Sequence, residues 1–278
     1  MKQRFRDLLA RNRWLKWVPN ALTLGNALCG FAAILNTLQV YEKMMYRDGP
    51  GGLERILAVS ALMILGAMIF DAFDGYAARL LNAASLHGIQ MDSLADMVTF
   101  GVAPATVVAV MAHALYPLRP RQFILVWCLC AVYLGCAALR LAKYNVHAML
   151  EKKSSEKFSG LPSPGAAAAL CSIIIFYAVD GGPGRQILQR LLAFLPYYAA
   201  LLGLLMVSEI PYQHFGKWIF SIPRHKKRLL IVVIVLGAAC YAPALVALVL
   251  INGYVIWGPL AMLAVKLGLL KSASDANI

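Results

Sequence analysis

Charge is scarce in this chain of 278 residues: Asp, Glu, Lys and Arg together make up 14% of it, against 61% hydrophobic residues, which excludes an ordinary soluble protein. Acidic residues are the scarcest of all, 13 against 26 basic ones. No fixed-period repeat, no low-complexity tract and no soluble domain can be found. The net charge of +13 does not indicate nucleic acid, because the basic residues lie between apolar runs rather than on one aromatic-laced face. They read as loops of a polytopic membrane protein and as contacts to anionic lipid. Six cysteines, Cys29, Cys128, Cys130, Cys136, Cys171 and Cys240, all fall within apolar runs and behave as small hydrophobes, not as bridges or metal ligands. The glycine-rich stretches at Gly49–Gly52 and Gly181–Gly184 lack a following Lys-Ser or Lys-Thr, so they are turns and not phosphate cradles.

What is present is a succession of long apolar runs. Residues 1–17 hold six Lys or Arg with Phe5, Leu8, Leu9 and Leu15 on one helical face and Trp14 and Trp17 at the end, which predicts an amphipathic helix on the membrane surface. The first apolar run is too long for a signal peptide and should remain as an anchor. Hydropathy gives about eight spans: 18–40, 55–81, 86–115, 122–144, 165–180, 186–207, 228–249 and 253–270. With the N-terminus cytoplasmic, inside segments hold 19 Lys or Arg and outside segments 7, as the positive-inside rule requires. The expected fold is thus an all-α integral membrane protein, with both termini on the cytoplasmic side.

Against this background the stretch Asp71–Asp96 stands out, with four aspartates inside two apolar spans. A charge at the centre of a membrane helix costs about 2.5 to 3.5 kcal/mol on insertion scales, so four of them need compensation. Asp71 and Asp74 are three residues apart and Asp92 and Asp96 four, so each pair shares a helical face. A turn centred on Ala83 and Ala84, flanked by Asn82 and Ser85, puts Asp71 and Asp96 equally far from it and Asp74 and Asp92 within a residue of each other. The four carboxylates therefore reach one depth in an antiparallel hairpin. The helix from Arg55 to Asp71 covers about 24 Å of a hydrocarbon core about 30 Å thick, which sets that depth near the cytoplasmic interface. An all-oxygen, all-acid set suits hard divalent ions such as magnesium, manganese or calcium, and two such ions balance four carboxylates. Gly75, Ala78 and Gly88 leave room beside the acids, and Arg79 can donate to a phosphate in bidentate fashion. Each of these also has an ordinary reading, as helix packing or snorkelling.

Taken together they read Asp71-x2-Asp74-Gly75-x2-Ala78-Arg79-x8-Gly88-x3-Asp92-x3-Asp96, which resembles the motif of the CDP-alcohol phosphotransferase family at all eight defined positions. The chance of such a match in a chain this long is on the order of 10⁻⁷. The resemblance implies a membrane enzyme that moves a phosphatidyl group from a CDP-linked lipid to an alcohol and releases CMP. It implies that Asp71, Asp74, Asp92 and Asp96 hold two divalent cations, Mg2+ or Mn2+, with Asp96 also the catalytic base, and that Asp71, Gly75, Ala78, Arg79 and Gly88 contact the CDP moiety. Family members tend to be homodimers.

Further segments look like the phosphatidylserine-forming branch: Pro19-Asn20 through Thr23-Leu24-Gly25-Asn26 to Cys29-Gly30, Asp92–Asp96 running into Phe100–Pro104, Leu139–Asn145, Gly160–Pro164 and Met206–Tyr212. That branch implies CDP-diacylglycerol as donor and L-serine as acceptor. It places a catalytic core at 18–225, with six helices, and a C-terminal transmembrane pair and tail at 226–278. Its expected home is a bacterial-type inner membrane with the active site cytoplasmic. Arg140 and Lys143, one turn apart, are candidates for the serine carboxylate or a lipid phosphate, with Asn20 and Thr23 beside them; they are equally readable as positive-inside residues. The chain departs from the branch at Lys143-Tyr144, where Arg-Phe is usual, and in Ser163-Pro164-Gly165, both of which bear on acceptor choice. His87 and His147 read as interfacial and Glu209 as a loop pairing residue. Other acceptors (glycerol 3-phosphate, an inositol phosphate, choline) and an ether-lipid donor stay open. A cation transporter would explain the acids but not Gly75, Ala78 and Arg79.

Overall fold

The computed structural model describes residues 17–46, 52–81, 86–150, 160–179, 185–210, 212 and 237–267, and every regular element among them is helical. These are α1 (Val18–Tyr46), α2 (Leu53–Leu80), α3 (Leu86–Asp96), a π-helical turn (Met97–Val102), α4 (Ala103–Leu115), α5 (Pro120–Leu150), α6 (Ser163–Val179), α7 (Arg185–Leu192), α8 (Leu195–Val207) and α9 (Pro243–Lys266). Among the described residues five helices are long and apolar enough to cross a membrane, and α7 with α8 make a sixth if taken as one bent span. The chain is an all-α integral membrane protein. The amphipathic helix expected over 1–17 lies almost wholly outside the described residues, and the expected count of eight spans reaches beyond them too.

Helix α1 shows how the sequence packs in lipid. Leu24, Leu28, Phe31, Leu35 and Leu38 are exposed, while Thr23, Asn26, Gly30, Ala33, Thr37 and Val40 are buried. The large apolar residues face outward because lipid tails solvate them as well as protein does, and the interior is left to small and polar residues. The buried side of α1 packs along α2. Toward their far ends Asn36 Nδ2 donates to the Ile56 carbonyl at 2.8 Å and to Ser60 Oγ at 2.9 Å, and the Thr37 and Ser60 hydroxyls are 2.8 Å apart.

The expected span 86–115 is continuous from α3 to α4 but contains the π-helical turn. Pro104 is its cause. A proline has no N–H for the carbonyl four residues back, here Phe100, and its ring crowds that carbonyl. The Ala103 N–H reaches back five residues to Val98, and the fully buried Tyr133 of α5 donates its hydroxyl to the Phe100 carbonyl at 2.8 Å. Pro196 has a related effect on the expected span 186–207. It falls in the first turn of α8, where no N–H is needed, and the chain bends by 51° between α7 and α8. Gln186, Gln189 and two arginines, Arg185 and Arg190, give α7 a polar side.

The break expected between 249 and 253 is not there, because α9 is one helix from Pro243 to Lys266. Asn252, which suggested a loop, is a packing residue. Its Nδ2 donates to the Leu248 carbonyl at 2.8 Å and lies 3.0 Å from Ser172 Oγ of α6, while Tyr198 of α8 donates to its Oδ1 at 2.6 Å. A buried amide with three satisfied contacts holds a membrane helix to its neighbours instead of ending it. Tyr212 then donates to the Val255 carbonyl at 3.0 Å, and its ring occupies the place that a Cβ on Gly258 would need.

The strap from Leu205 to Tyr212 also ties the start of α6. Gly160 N–H donates to the Ile210 carbonyl at 2.8 Å and Leu161 N–H to the Leu205 carbonyl at 3.0 Å. Gly160 has φ 88°, and a Cβ there would come within 2.4 Å of the Met206 carbonyl oxygen, so only glycine fits.

Candidate active site

The site lies where the first turns of α1 meet the end of α2 and all of α3. Residues 82–85, with the expected turn, are outside the described residues, but α2 ends at Leu80 and α3 begins at Leu86 on either side of them. The hairpin brings the acids together. One carboxylate oxygen each from Asp71, Asp74 and Asp92 lie within 4.8 Å of one another, and Asp96 is close enough to Asp71 to share a hydrogen bond. Asp74 is buried, with 4% of its surface exposed, and the other three are half-buried.

Two residues of α1 reach into this cluster. The Thr23 hydroxyl lies 2.9 Å from Asp74 Oδ2 and 3.0 Å from the Pro19 carbonyl, and shares its one proton between them. Asn26 Nδ2 donates to Asp96 Oδ1 at 3.0 Å. Asn26 is fully buried, and its carbonyl accepts from Thr99 Oγ1 of the π-helical turn at 3.0 Å. Gly30, one turn further on, makes that approach possible: a Cβ there would lie 2.5 Å from Thr99 Oγ1 and 2.7 Å from Thr99 Cα. Small size at residue 30 therefore sets the distance from α1 to Asp96.

The sequence reading had Thr23 as an acceptor-side residue and did not single out Asn26. A signal for Asn26 was present, since Thr23, Asn26 and Gly30 fall on one face of an otherwise apolar helix. Its partner 70 residues away was not readable.

Even with these donors the cluster is under-compensated. Among the described residues Asp92 Oδ1 is a buried oxygen with no hydrogen-bond partner. Four carboxylates at this separation repel one another in a low-dielectric setting, and an unpaired buried acceptor adds its own desolvation cost. A hard divalent cation satisfies both demands, and an oxygen-only donor set is the kind that Mg2+ and Mn2+ take. The residues fit such an ion.

The other expected site residues lie around this centre. A Cβ on Gly75 meets nothing within 4 Å, so its smallness serves no packed contact within the described chain. Ala78 is half-buried one turn further along α2, and Gly88 is half-buried in the first turn of α3. Arg79 belongs to the last turn of α2, and its side chain lies outside what the structure describes, as does that of His147. His87 and Glu209 are exposed, and Asn20 is half-buried one turn before Thr23.

Arg140 and Lys143 enter from α5. Ser93 Oγ donates to Asn145 Oδ1 at 2.8 Å, and this contact with the Tyr133–Phe100 bond fixes the register of α5 on the chain that carries Asp92 and Asp96. At about 1.5 Å per residue, Arg140 falls within about a turn of the depth of Asp96. It is half-buried, and its Nη1 donates to the Met206 carbonyl at 3.3 Å, whereas Lys143 is exposed.

Comparison with known proteins bears on this geometry. A family model described as CDP-alcohol phosphatidyltransferase matches residues 16–208. The CDP-diacylglycerol–serine O-phosphatidyltransferase of Bacillus subtilis is 33% identical over 208 residues, covering 73% of this chain and 93% of that protein. The enzyme of the same name from Methanocaldococcus jannaschii is 34% identical over 172 residues, covering 61% of this chain and 71% of that one. The one from Mycobacterium bovis is 29% identical over 253 residues, covering 89% and 79%.

Proposed function

Since the chain belongs to the CDP-alcohol phosphatidyltransferase family, we propose that it transfers the phosphatidyl group of CDP-diacylglycerol to L-serine, giving phosphatidylserine and CMP. The observation that carries this reading is the meeting of four aspartates from one hairpin, with a buried Asp92 oxygen left over for a ligand. Relatives from bacteria and an archaeon that carry the serine transferase name support the choice of acceptor.

In this reading Asp71, Asp74, Asp92 and Asp96 hold two divalent cations, Mg2+ or Mn2+. When bound, these supply charge neutralisation for the pyrophosphate and for the departing CMP. The chain's own groups do the rest. Asp96, held by Asn26, takes the proton of the serine hydroxyl. The serine oxygen forms a bond to the phosphorus that bears the diacylglycerol, and the bond from that phosphorus to the bridging anhydride oxygen breaks, so CMP leaves with the bond's electron pair. Asp71, Gly75, Ala78, Arg79 and Gly88 form the CDP contact, for which the open space at Gly75 leaves room.

Arg140, with Lys143, faces the serine carboxylate or the lipid phosphate. Asn20 and Thr23 border the same space, Thr23 by way of Asp74. The catalytic core runs over 18–225 and the C-terminal part over 226–278, the enzyme works as a homodimer, and its active site and both termini face the cytoplasm of a bacterial-type inner membrane.

The test is an acceptor panel on purified protein with CDP-diacylglycerol and Mg2+ or Mn2+. Labelled serine is expected to appear in phosphatidylserine with one CMP released per turnover, and chelation of the metal is expected to stop it. Turnover with glycerol 3-phosphate, an inositol phosphate or choline and none with serine would assign the chain to a sister reaction of the same family.

A further inference from the structure

The match to the family model ends at residue 208, yet the chain around Arg140 is completed by residues beyond it. Arg140 is held from two sides. Its Nη1 donates to the Met206 carbonyl at the end of α8, and its guanidinium lies beside Tyr254 of α9, close enough for the two groups to interact electrostatically. Tyr254 is itself fixed: its ring is 5.5 Å, centre to centre, from that of Tyr212, and Tyr212 is tied by its hydroxyl to the Val255 carbonyl. Gly258 gives Tyr212 the room to lie flat on α9. One turn above, Asn252 locks α9 to Ser172 and Tyr198.

The direction of α9 follows from these contacts. Asn252 pairs with residues in the middle of α6 and near the start of α8, and Val255 pairs with the strap that follows α8, so α9 runs toward the face that holds the aspartates. A long arginine at that depth has many rotamers in solution and in lipid, and fixing it costs about 2 kcal/mol of side-chain entropy. An arginine that must meet a small zwitterion in one orientation gains from having that cost met beforehand.

We propose that Tyr254, backed by Tyr212, is a positioning residue that orients Arg140 toward the acceptor, so that α9 takes part in recognising the acceptor although it lies outside the catalytic core. The inference rests on the reading of Arg140 as the acceptor-side cation, and the experiment separates the two. Initial rates of the full-length protein are measured against serine and against CDP-diacylglycerol, for the parent, Tyr254→Phe, Tyr212→Phe, Arg140→Ala and the double variant Arg140→Ala with Tyr254→Phe. Loss of one hydrogen bond in Tyr254→Phe is expected to raise KM for serine about five-fold. KM for CDP-diacylglycerol and the melting temperature should stay unchanged, which a merely structural role would not give. Tyr212→Phe should move serine KM in the same direction by less, and the double variant should match Arg140→Ala alone.

If Arg140→Ala raises serine KM and Tyr254→Phe does not, the positioning role is overturned and the reading of Arg140 stands. If the two effects multiply in the double variant, Tyr254 acts on the acceptor by itself and the inference fails. If Arg140→Ala leaves serine KM unchanged, it is the reading of Arg140 that falls.

Discussion

The two ends of the α1–α2 pair bury polar groups in different ways. At the far end Asn36, Thr37 and Ser60 bond to one another and to the Ile56 and Ala33 carbonyls. At the near end Thr23 and Asn26 offer two donors to a cluster of four aspartates, and a buried Asp92 oxygen is left over. The first arrangement is closed. Its groups are neutral and mutually bonded, as in helix contacts that hold membrane proteins together. The second is open, with more acceptor capacity and negative charge than the chain itself can answer. The difference separates structural glue from a site that awaits a ligand.

Substitutions at the two ends should therefore differ in kind. The largest effect is expected for Asp96→Asn, which keeps the shape but removes the base: kcat should fall by about 10² to 10⁴. In chelator, the melting temperature of Asp96→Asn should be equal to or above that of the parent, because one of four repelling charges is gone. A fall in melting temperature with activity kept would mean that the acids serve stability.

Next in size is Asn26→Ala. A hydrogen bond to a charged group contributes about 1.5 to 3 kcal/mol, so rates should drop by about ten- to a hundred-fold while KM for CDP-diacylglycerol changes little. Gly30→Ala should act through packing, since the new Cβ meets the Thr99 backbone. Overpacking of this kind costs about 1 to 3 kcal/mol, visible as a lower melting temperature together with reduced turnover. The smallest effect belongs to the closed end. Ser60→Ala should cost about 0.6 kcal/mol of stability, and chemical denaturation in detergent should show it with kcat unaltered. Divalent metal sharpens the same contrast: at a hundred times its dissociation constant it should stabilise the parent and Ser60→Ala by about 2.7 kcal/mol, and Asp74→Asn by much less.

Much of this was legible in the chain. The spans through Leu115 could be drawn from hydropathy to within a few residues, apart from α1, which runs on to Tyr46. The convergence of the acids followed from counting about a turn, because within one hairpin the chain leaves little freedom. Other features were not legible because they depend on neighbours elsewhere in the sequence. Asn252 read as a break and proved to be a bonded residue inside α9. Pro104 and Pro196 were visible, but whether each would bend or interrupt its helix depended on what else could bond the freed carbonyls. Tyr133 answers Phe100, and the span stays nearly continuous. Between α7 and α8 the chain bends instead.

By itself, then, the sequence determined a membrane protein of apolar helices with one acidic hairpin, since the cost of charge in lipid and the helical period both act locally. Tertiary structure alone decided that Thr23 and Asn26 attend Asp74 and Asp96, and that Arg140 is held by Met206 and stands beside Tyr254. Those contacts join residues 51 to 114 positions apart, and no local rule of spacing or hydropathy reaches that far.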